Sequence, residues 1–207
     1  RKILFENPFI KPGLHVENTN HTINGYLGLK GRYSSKMTFD FRLNYSEIDS
    51  MYFFVNDSSS TLKNEFLVDY DNVSLFGGSG EITWNYSEKL QFILKASYKN
   101  YETDHLAYAW HKSSIDASLS TNYNLRDKIL VDAMFFYAGK RYAPGPNPEE
   151  PFELKPYFDG NLSFEYRYTK LLSFFLHFLN ISASRYILWN QYPVQRFQFM
   201  GGFTYAL

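Results

Sequence analysis

The sequence predicts an all-β protein, an antiparallel up-and-down transmembrane β-barrel, and three observations carry that prediction. Segments of roughly 10 to 14 residues alternate apolar and polar side chains, longer than the strands of ~5–6 residues common in soluble proteins. Aromatic residues make up 20% of the 207 residues, with 18 Tyr and 20 Phe, and rings of this kind favour strands. The connections between the segments alternate strictly between short and long, which is the rim asymmetry of outer-membrane barrels.

Taken in order, Ile3, Leu4 and Phe5 predict a short strand that Pro8, Pro12 and Gly13 end. From Asn20 to about Tyr33, Ile23, Leu27, Leu29 and Tyr33 share one phase with Gly25 and Gly31. After a turn at Ser34 to Lys36, Met37, Phe39, Phe41, Leu43 and Tyr45 alternate with Thr38, Asp40, Arg42 and Asn44, so one face is apolar and the other charged. The alternation fades from Met51 to Phe54 into a polar loop at Asn56 to Thr61. The returning strand starts at Phe66, Val68 and Tyr70 and ends at Ile82, Trp84 and Tyr86, with a bulge or kink expected at Gly77, Gly78 and Gly80.

A tight turn at Ser87 to Lys89 leads to a strand with Leu90, Phe92, Leu94, Ala96 and Tyr98 in phase. Residues 100–112 read as a rim loop, followed by a strand through Ile115, Ala117, Leu119, Thr121 and Tyr123. A turn at Asn124 to Lys128 gives way to Ile129, Val131, Ala133, Phe135 and Tyr137. The loop from Tyr142 to Phe152 holds Pro144, Pro146, Pro148 and Pro151, and is not expected to form strand. Phe158 to Tyr168 and Leu172 to Phe178 form a hairpin about Thr169 and Lys170, and the loop 182–194 enters a closing strand. In that strand Phe197, Phe199, Phe203, Tyr205 and Leu207 share a phase. The count is nine clear strands and a short one at the N-terminus, about ten in all, in one domain spanning 1–207. Tyr33, Tyr45, Tyr86, Tyr98, Tyr123, Tyr137, Tyr168 and Tyr205 fall near strand ends in the apolar phase, which reads as two interfacial girdles.

Composition limits the function. Lys plus Arg and Asp plus Glu are 21 each, so no nucleic-acid footprint is expected. There is no Cys, which removes disulfide and thiolate-metal readings. No apolar run approaches the ~18–20 residues of a spanning helix, whereas a barrel with a polar lumen accommodates a mean hydropathy of −0.38. The N-terminus, RKILFENPFIKPG, has neither an initiator Met nor a signal peptide, so the chain is expected to begin in mid-protein or after processing.

The closing stretch, NISASRYILWNQYPVQRFQFMGGFTYAL, resembles the end of TonB-dependent outer-membrane receptors at Asn180, Tyr186, Tyr192, Pro193, Arg196, Phe197 and Gly202. FENPFIKPG, INGYLGLKG and FFVN within residues 5–54 resemble mid-barrel strands of the same family. Leu207 stands where the family ends in Phe, and the plug domain and TonB box are not in this chain. The resemblance implies part of a 22-stranded barrel in the bacterial outer membrane. It implies energised uptake of a nutrient, a metal chelate, glycan or peptide, with a plug domain, TonB and a surface lipoprotein as partners besides the lipid bilayer. On that reading the chain is not an enzyme and needs no cofactor.

Ligand contacts are expected from aromatics of the long loops, with Tyr108, Trp110, Tyr142 and Trp189 as candidates. For any single one, packing in a girdle or loop is the commoner role. His15, His21, His105, His111 and His177 are scattered rather than spaced as metal ligands, and His177 is expected to be a lumen hydrogen-bonding group. Asp40, Arg42, Asp116, Asp132, Glu165 and Arg167 are expected to form a lumen charge network. Two alternatives remain. One is a standalone ten-stranded barrel acting as a structural, assembly or adhesion protein; the other is a rim-site outer-membrane hydrolase using Asp104, His105, His111 and Ser113. A soluble β-barrel or sandwich also explains one-sided alternation, though not the strand lengths or the loop asymmetry.

Overall fold

Apolar residues at every second position can be buried only if a whole face of a sheet is withdrawn from water, and the chain folds accordingly. The computed structural model describes residues 6–14, 16–61, 64–145 and 150–206. Its strands are β1 (Asn20–Ser34), β2 (Met37–Asn56), β3 (Phe66–Ser87), β4 (Leu90–Thr103), β5 (Ile115–Leu125), β6 (Ile129–Ala138) and β7 (Arg141–Ala143). They continue with β8 (Phe152–Leu154), β9 (Tyr157–Arg167), β10 (Leu172–Leu179), β11 (Ile187–Trp189), β12 (Tyr192–Pro193) and β13 (Gln198–Tyr205). Nine of them form one antiparallel meander in the order β1-β2-β3-β4-β5-β6-β9-β10-β13. The expected strand at Ile3 to Phe5, and the terminal Leu207, lie outside the described residues.

Register decides what each face presents. Phe39, Ile82, Leu94, Leu119, Phe135 and Gly160 form one continuous cross-strand row. One residue along, Asp40, Glu81, Lys95, Ser118, Phe136 and Asp159 form the adjacent row on the opposite face. The apolar face has no protein against it: Leu27, Leu43, Leu94, Leu119, Phe174 and Phe203 are all exposed. So large a contiguous apolar surface marks contact with a partner or lipid, and the nine residues from Met37 to Tyr45, five of them in the apolar phase, match the ~9–11 that a tilted strand needs to cross a bilayer. Tyr33, Tyr86, Tyr168 and Tyr205 lie towards the short-turn rim and Tyr45, Tyr98 and Tyr137 towards the other, all exposed on that face as the two girdles require.

The core is elsewhere. β2 and β3 run on past the girdle, pairing as far as Asn56 with Phe66, and there Phe53, Phe54, Phe66, Val73 and Trp110 are buried. The alternation that fades after Tyr45 therefore does not mark the end of the strand. A bulge between Ile48 and Met51, with Ser50 in the left-handed region at φ 52°, shifts the register. Beyond it both faces of the hairpin are covered by loops, so Phe53 and Phe54 are each fully buried on successive positions.

The bulge expected at Gly77 to Gly80 is not found; β3 keeps an unbroken register with both neighbours through that stretch. The glycines serve close packing instead. A Cβ on Gly80 would lie 2.8 Å from the Phe41 ring, and one on Gly77 2.6 Å from Asn44 Oδ1. Gly160 is tighter, because its Cβ would meet both Phe135 at 2.7 Å and the Met134 carbonyl at 3.1 Å. Gly160→Val is expected to destabilise by about 1–3 kcal/mol through overpacking; denaturant titration in micelles checks it, and an unchanged midpoint would contradict the packing argument.

Two further expectations are corrected. The proline-rich loop does carry strand at its flanks, since β7 pairs with β8, although residues 146–149 at its tip are outside the described residues. Among the described residues the sheet does not close: β1 and β13 are its two edges rather than partners, so a self-contained ten-stranded barrel is not what forms.

Candidate functional site

Long connections from four places converge over the protruding β2–β3 hairpin and leave a recess on the polar face below. The recess has a volume of about 580 Å³ and is lined by Asp40, Arg42, Glu81, Lys95, Asp116 and Tyr157, with Ser79, Ser97 and Ser118 between them. Its charges are matched in pairs: Arg42 donates to Asp40 at 3.0 Å, Lys95 lies 2.8 Å from Glu81, and Lys99 3.7 Å from Asp116. Further towards the short-turn rim Arg167 donates to Glu165 at 2.9 Å, and Asn122 to Asp132 at 2.6 Å. Asp40, Arg42, Asp116, Asp132, Glu165 and Arg167 thus do not form the expected single network: Asp40 with Arg42 and Glu165 with Arg167 pair locally, while Asp116 faces Lys99 and Asp132 takes the Asn122 amide. His177 also lies on this face, with Nδ1 2.8 Å from the Ser163 hydroxyl.

The loops above form two aromatic clusters, one on each side of the hairpin. Phe53, Val73 and Trp110 make the first, with Tyr101, Leu106 and Tyr142 against them. Tyr108 stands beside Tyr142 at 4.4 Å and Trp110 at 5.5 Å between ring centroids. The structure therefore brings Tyr108, Trp110 and Tyr142 together, with Trp110 buried and Tyr108 at the surface. Trp189 belongs to the second cluster. It meets Phe54 edge-on at 5.0 Å, and Phe66, His111 and Tyr192 complete the group.

His111 is the polar link of that second cluster. Its backbone takes φ 60°, which turns the ring inwards, and its N–H donates to the Tyr142 carbonyl at 2.7 Å. In the ring, Nδ1–H donates to the Phe54 carbonyl at 3.0 Å and Nε2 accepts from the Asn190 N–H at 3.3 Å. Those partners require the neutral imidazole with its proton on Nδ1. Burial, with Arg141 and Lys112 adding positive charge nearby, pushes its pKa from 6.5 down to about 4.

The sign of the pH dependence follows. Between pH 6.5 and 4 the unfolded chain binds a proton that the folded loops exclude, so this stability is complete above pH 6.5 and is lost as pH falls towards 4. By pH 5 the loss is expected to reach about 2 kcal/mol, at 1.36 kcal/mol per pH unit. His105 acts in the opposite sense, because its partner Asp71 raises its pKa and protonation strengthens their pair. Loop proteolysis from pH 7.5 to 4.5, compared between the wild type and His111→Gln, isolates the His111 share. Parallel profiles in the two proteins would overturn it.

The segment before β1 straps the canopy down. The Phe9 carbonyl accepts from the Phe66 N–H at 3.0 Å, Lys11 N–H donates to the Phe66 carbonyl at 2.9 Å, and Phe9 stacks on Tyr192. Lys11 also donates to Asp57 at 2.8 Å, which with the Ser59 donors holds that carboxyl well below the usual range. Opposite, Arg141 donates to the carbonyls of Ile187 and Leu188 and lies over the Tyr157 ring, which stacks on Tyr186 at 4.0 Å. Asp159 accepts from the N–H groups of Gly160 and Ser182 and anchors the start of the same loop. Burial pushes the nearby Tyr186 phenol up to about 12, keeping it neutral.

Arg141, Asp159 and the Phe9 strap were not legible in the sequence, since nothing in their spacing announces contacts with loops 23 to 183 residues away. The rim hydrolase arrangement is corrected. His111 is buried with both ring nitrogens engaged, His105 pairs with Asp71, and the Ser113 hydroxyl donates to the Ile115 carbonyl while accepting from the Gly139 N–H. Neither His105 nor His111 is placed as a base on the Ser113 hydroxyl. Among the described residues no group of three or more His, Cys, Asp or Glu side chains is placed to hold a metal ion.

No family model and no curated protein matches the sequence. Solved structures do match it. The pyoverdine outer membrane receptor FpvA from Pseudomonas aeruginosa PAO1, bound to pyoverdine, aligns with a TM-score of 0.68 at 17% identity over 89% of this chain and 29% of its own. The ferric-catecholate import receptor Fiu from E. coli K12 gives 0.67 at 16% identity over 88% and 27%, respectively. The siderophore receptor PirA from Acinetobacter baumannii gives 0.67 at 9% over 89% and 31%. The chain spans less than a third of the length of each. An antiparallel sheet with one lipid-type face, one charged face and a loop-bearing rim thus has the fold of a wall segment of an outer-membrane β-barrel.

Proposed function

We propose that the chain is part of the barrel of a TonB-dependent receptor of the bacterial outer membrane, serving energised uptake of a nutrient: a metal chelate, a glycan or a peptide. The observation that carries this reading is the folded canopy of long loops over a charged recess, on only one rim of a wall with an unpartnered apolar face. A purely structural barrel has no need of such a canopy. The two open edges favour the same reading, because unpaired strand edges are not tolerated in hydrocarbon and the remaining strands of a larger barrel would pair with them. A plug domain in the lumen, TonB on the periplasmic side and a surface lipoprotein over the canopy are the partners this implies.

On this reading Tyr108, Trp110, Tyr142 and Trp189 contribute ligand contact or hold the rings that do. No step of catalysis is involved. Deleting the gene in its host should abolish growth on one of three supplies, a ferric chelate, an oligosaccharide or a peptide, and an uncoupler should reproduce the defect. Growth on all three that is indifferent to both would overturn the proposal. Tyr108→Ala with Tyr142→Ala should then weaken uptake of that supply while leaving the amount of protein in the outer membrane unchanged.

A further inference from the structure

The short-turn rim carries a second recess, of about 710 Å³, between the turn at Arg126 to Lys128 and the turn at Tyr168 to Leu171. Four cations line it, Arg126, Lys128, Arg167 and Lys170, against the carboxylates of Asp127 and Glu165. Both carboxylates are engaged locally. Glu165 accepts from Arg167 at 2.9 Å and Asp127 from the Asn124 amide at 2.7 Å. Arg126, Lys128 and Lys170 have no ion-pair partner among the described residues. The other short turns at this rim carry fewer cations: Lys36, whose ammonium donates to the Tyr86 carbonyl, at the first, and Lys89, after Glu88, at the second.

Orientation narrows the class of partner. Glu165, Arg167, Ser173 and Thr204 form the floor, and they lie on the polar face, opposite Phe164, Tyr166, Phe174 and Phe203. The charged floor of the recess thus lies on the polar face, while Tyr168, Leu171 and Leu172 form its lip towards the apolar side. Arg126 and Asp127 both sit at φ 55°, a tight two-residue turn that fixes the direction of the cations on either side. The recess is wide enough for several side chains rather than a single anion.

We propose that this recess docks a carboxylate-rich peptide segment presented from the short-turn side of the membrane. It rests on the preceding reading only for naming that side periplasmic. Binding of a fluorescein-labelled octaglutamate peptide by the whole protein in detergent micelles tests it, with anisotropy as the readout. Saturable binding at 50 mM salt is expected, weakened at least tenfold both by 300 mM salt and by R126S/K128S/K170S, since exposed charges are screened beyond ~8 Å at physiological salt. K170E alone, a single exposed change in a turn, should weaken it several-fold if the triple variant fails to fold. Absence of saturable binding overturns the proposal, as does a Kd unchanged in K170E. Displacement of the peptide by glycerol phosphate at lower concentration than by free octaglutamate would assign a phosphate site instead and equally overturn it. Uptake measured on the same variants separates the two readings, because loss of peptide binding with the transport assay intact touches only this one.

Discussion

Phe66→Ala is expected to cost the loop canopy about 3–5 kcal/mol while the membrane wall stays folded. Phe66 has no exposed surface and sits where the 104–114 and 180–197 connections meet: its ring lies against His111 at 5.6 Å, Trp189 at 6.0 Å and Tyr192 at 6.1 Å. Its backbone binds the Phe9 strap on both sides. Removing the ring leaves a cavity among rigid aromatic groups that cannot collapse to fill it, the condition under which truncation costs most. The damage stays local, because Phe66 begins β3 beyond the girdle while the membrane-crossing part pairs residue by residue with β2 and β4. Faster protease cleavage in residues 103–115 and 180–197, with unchanged electrophoretic heat-modifiability, is the expected result. A variant whose loops resist protease as the wild type does would show that the clusters do not hold the canopy.

Leu119→Arg should destabilise the wall by about 2–4 kcal/mol, and Ser118→Arg, one residue away, by far less. Leu119 stands midway along β5 between Leu94 and Phe135 on the face bare of protein, where an arginine would enter the hydrocarbon layer. Ser118 lies on the charged recess. The pair tests the assignment of faces directly, since a soluble sandwich would bury the Leu119 face in a protein core and make the chain monodisperse without detergent. Refolding into lipid vesicles with urea titration supplies the comparison; equal costs at the two positions would refute a membrane-facing wall.

Much of the wall was readable before any coordinates. The period-2 rule set the phase of Met37 to Tyr45, Leu90 to Tyr98 and Phe158 to Tyr168, and the structure keeps the first two, and the third as far as Tyr166, in one register with their neighbours. Where a second burial environment begins, reading failed. Phe53 and Phe54 look like the end of an alternation because both sides of the strand are covered there. The glycines of β3 read as a break because their lack of a side chain is equally consistent with a kink and with a cross-strand ring lying over them. Of the candidate aromatics, Tyr108, Trp110 and Tyr142 meet while Trp189 joins a different cluster, a division that loop composition does not encode.

By itself the sequence determined the strands of the wall, which faces are apolar and charged, and which rim bears the long loops. Side-chain alternation is a local property, and two successive residues suffice to define opposite faces. Only the tertiary structure decided that the sheet is open at β1 and β13, that His111 is clasped between Phe54 and Asn190, and that the Phe9 strap crosses Phe66. Those contacts join residues up to 79 positions apart for His111 and Asn190, and their energies depend on burial and partners that no local pattern records. The charged recesses belong to the same group, because each gathers side chains from several strands whose adjacency exists only once the meander has formed.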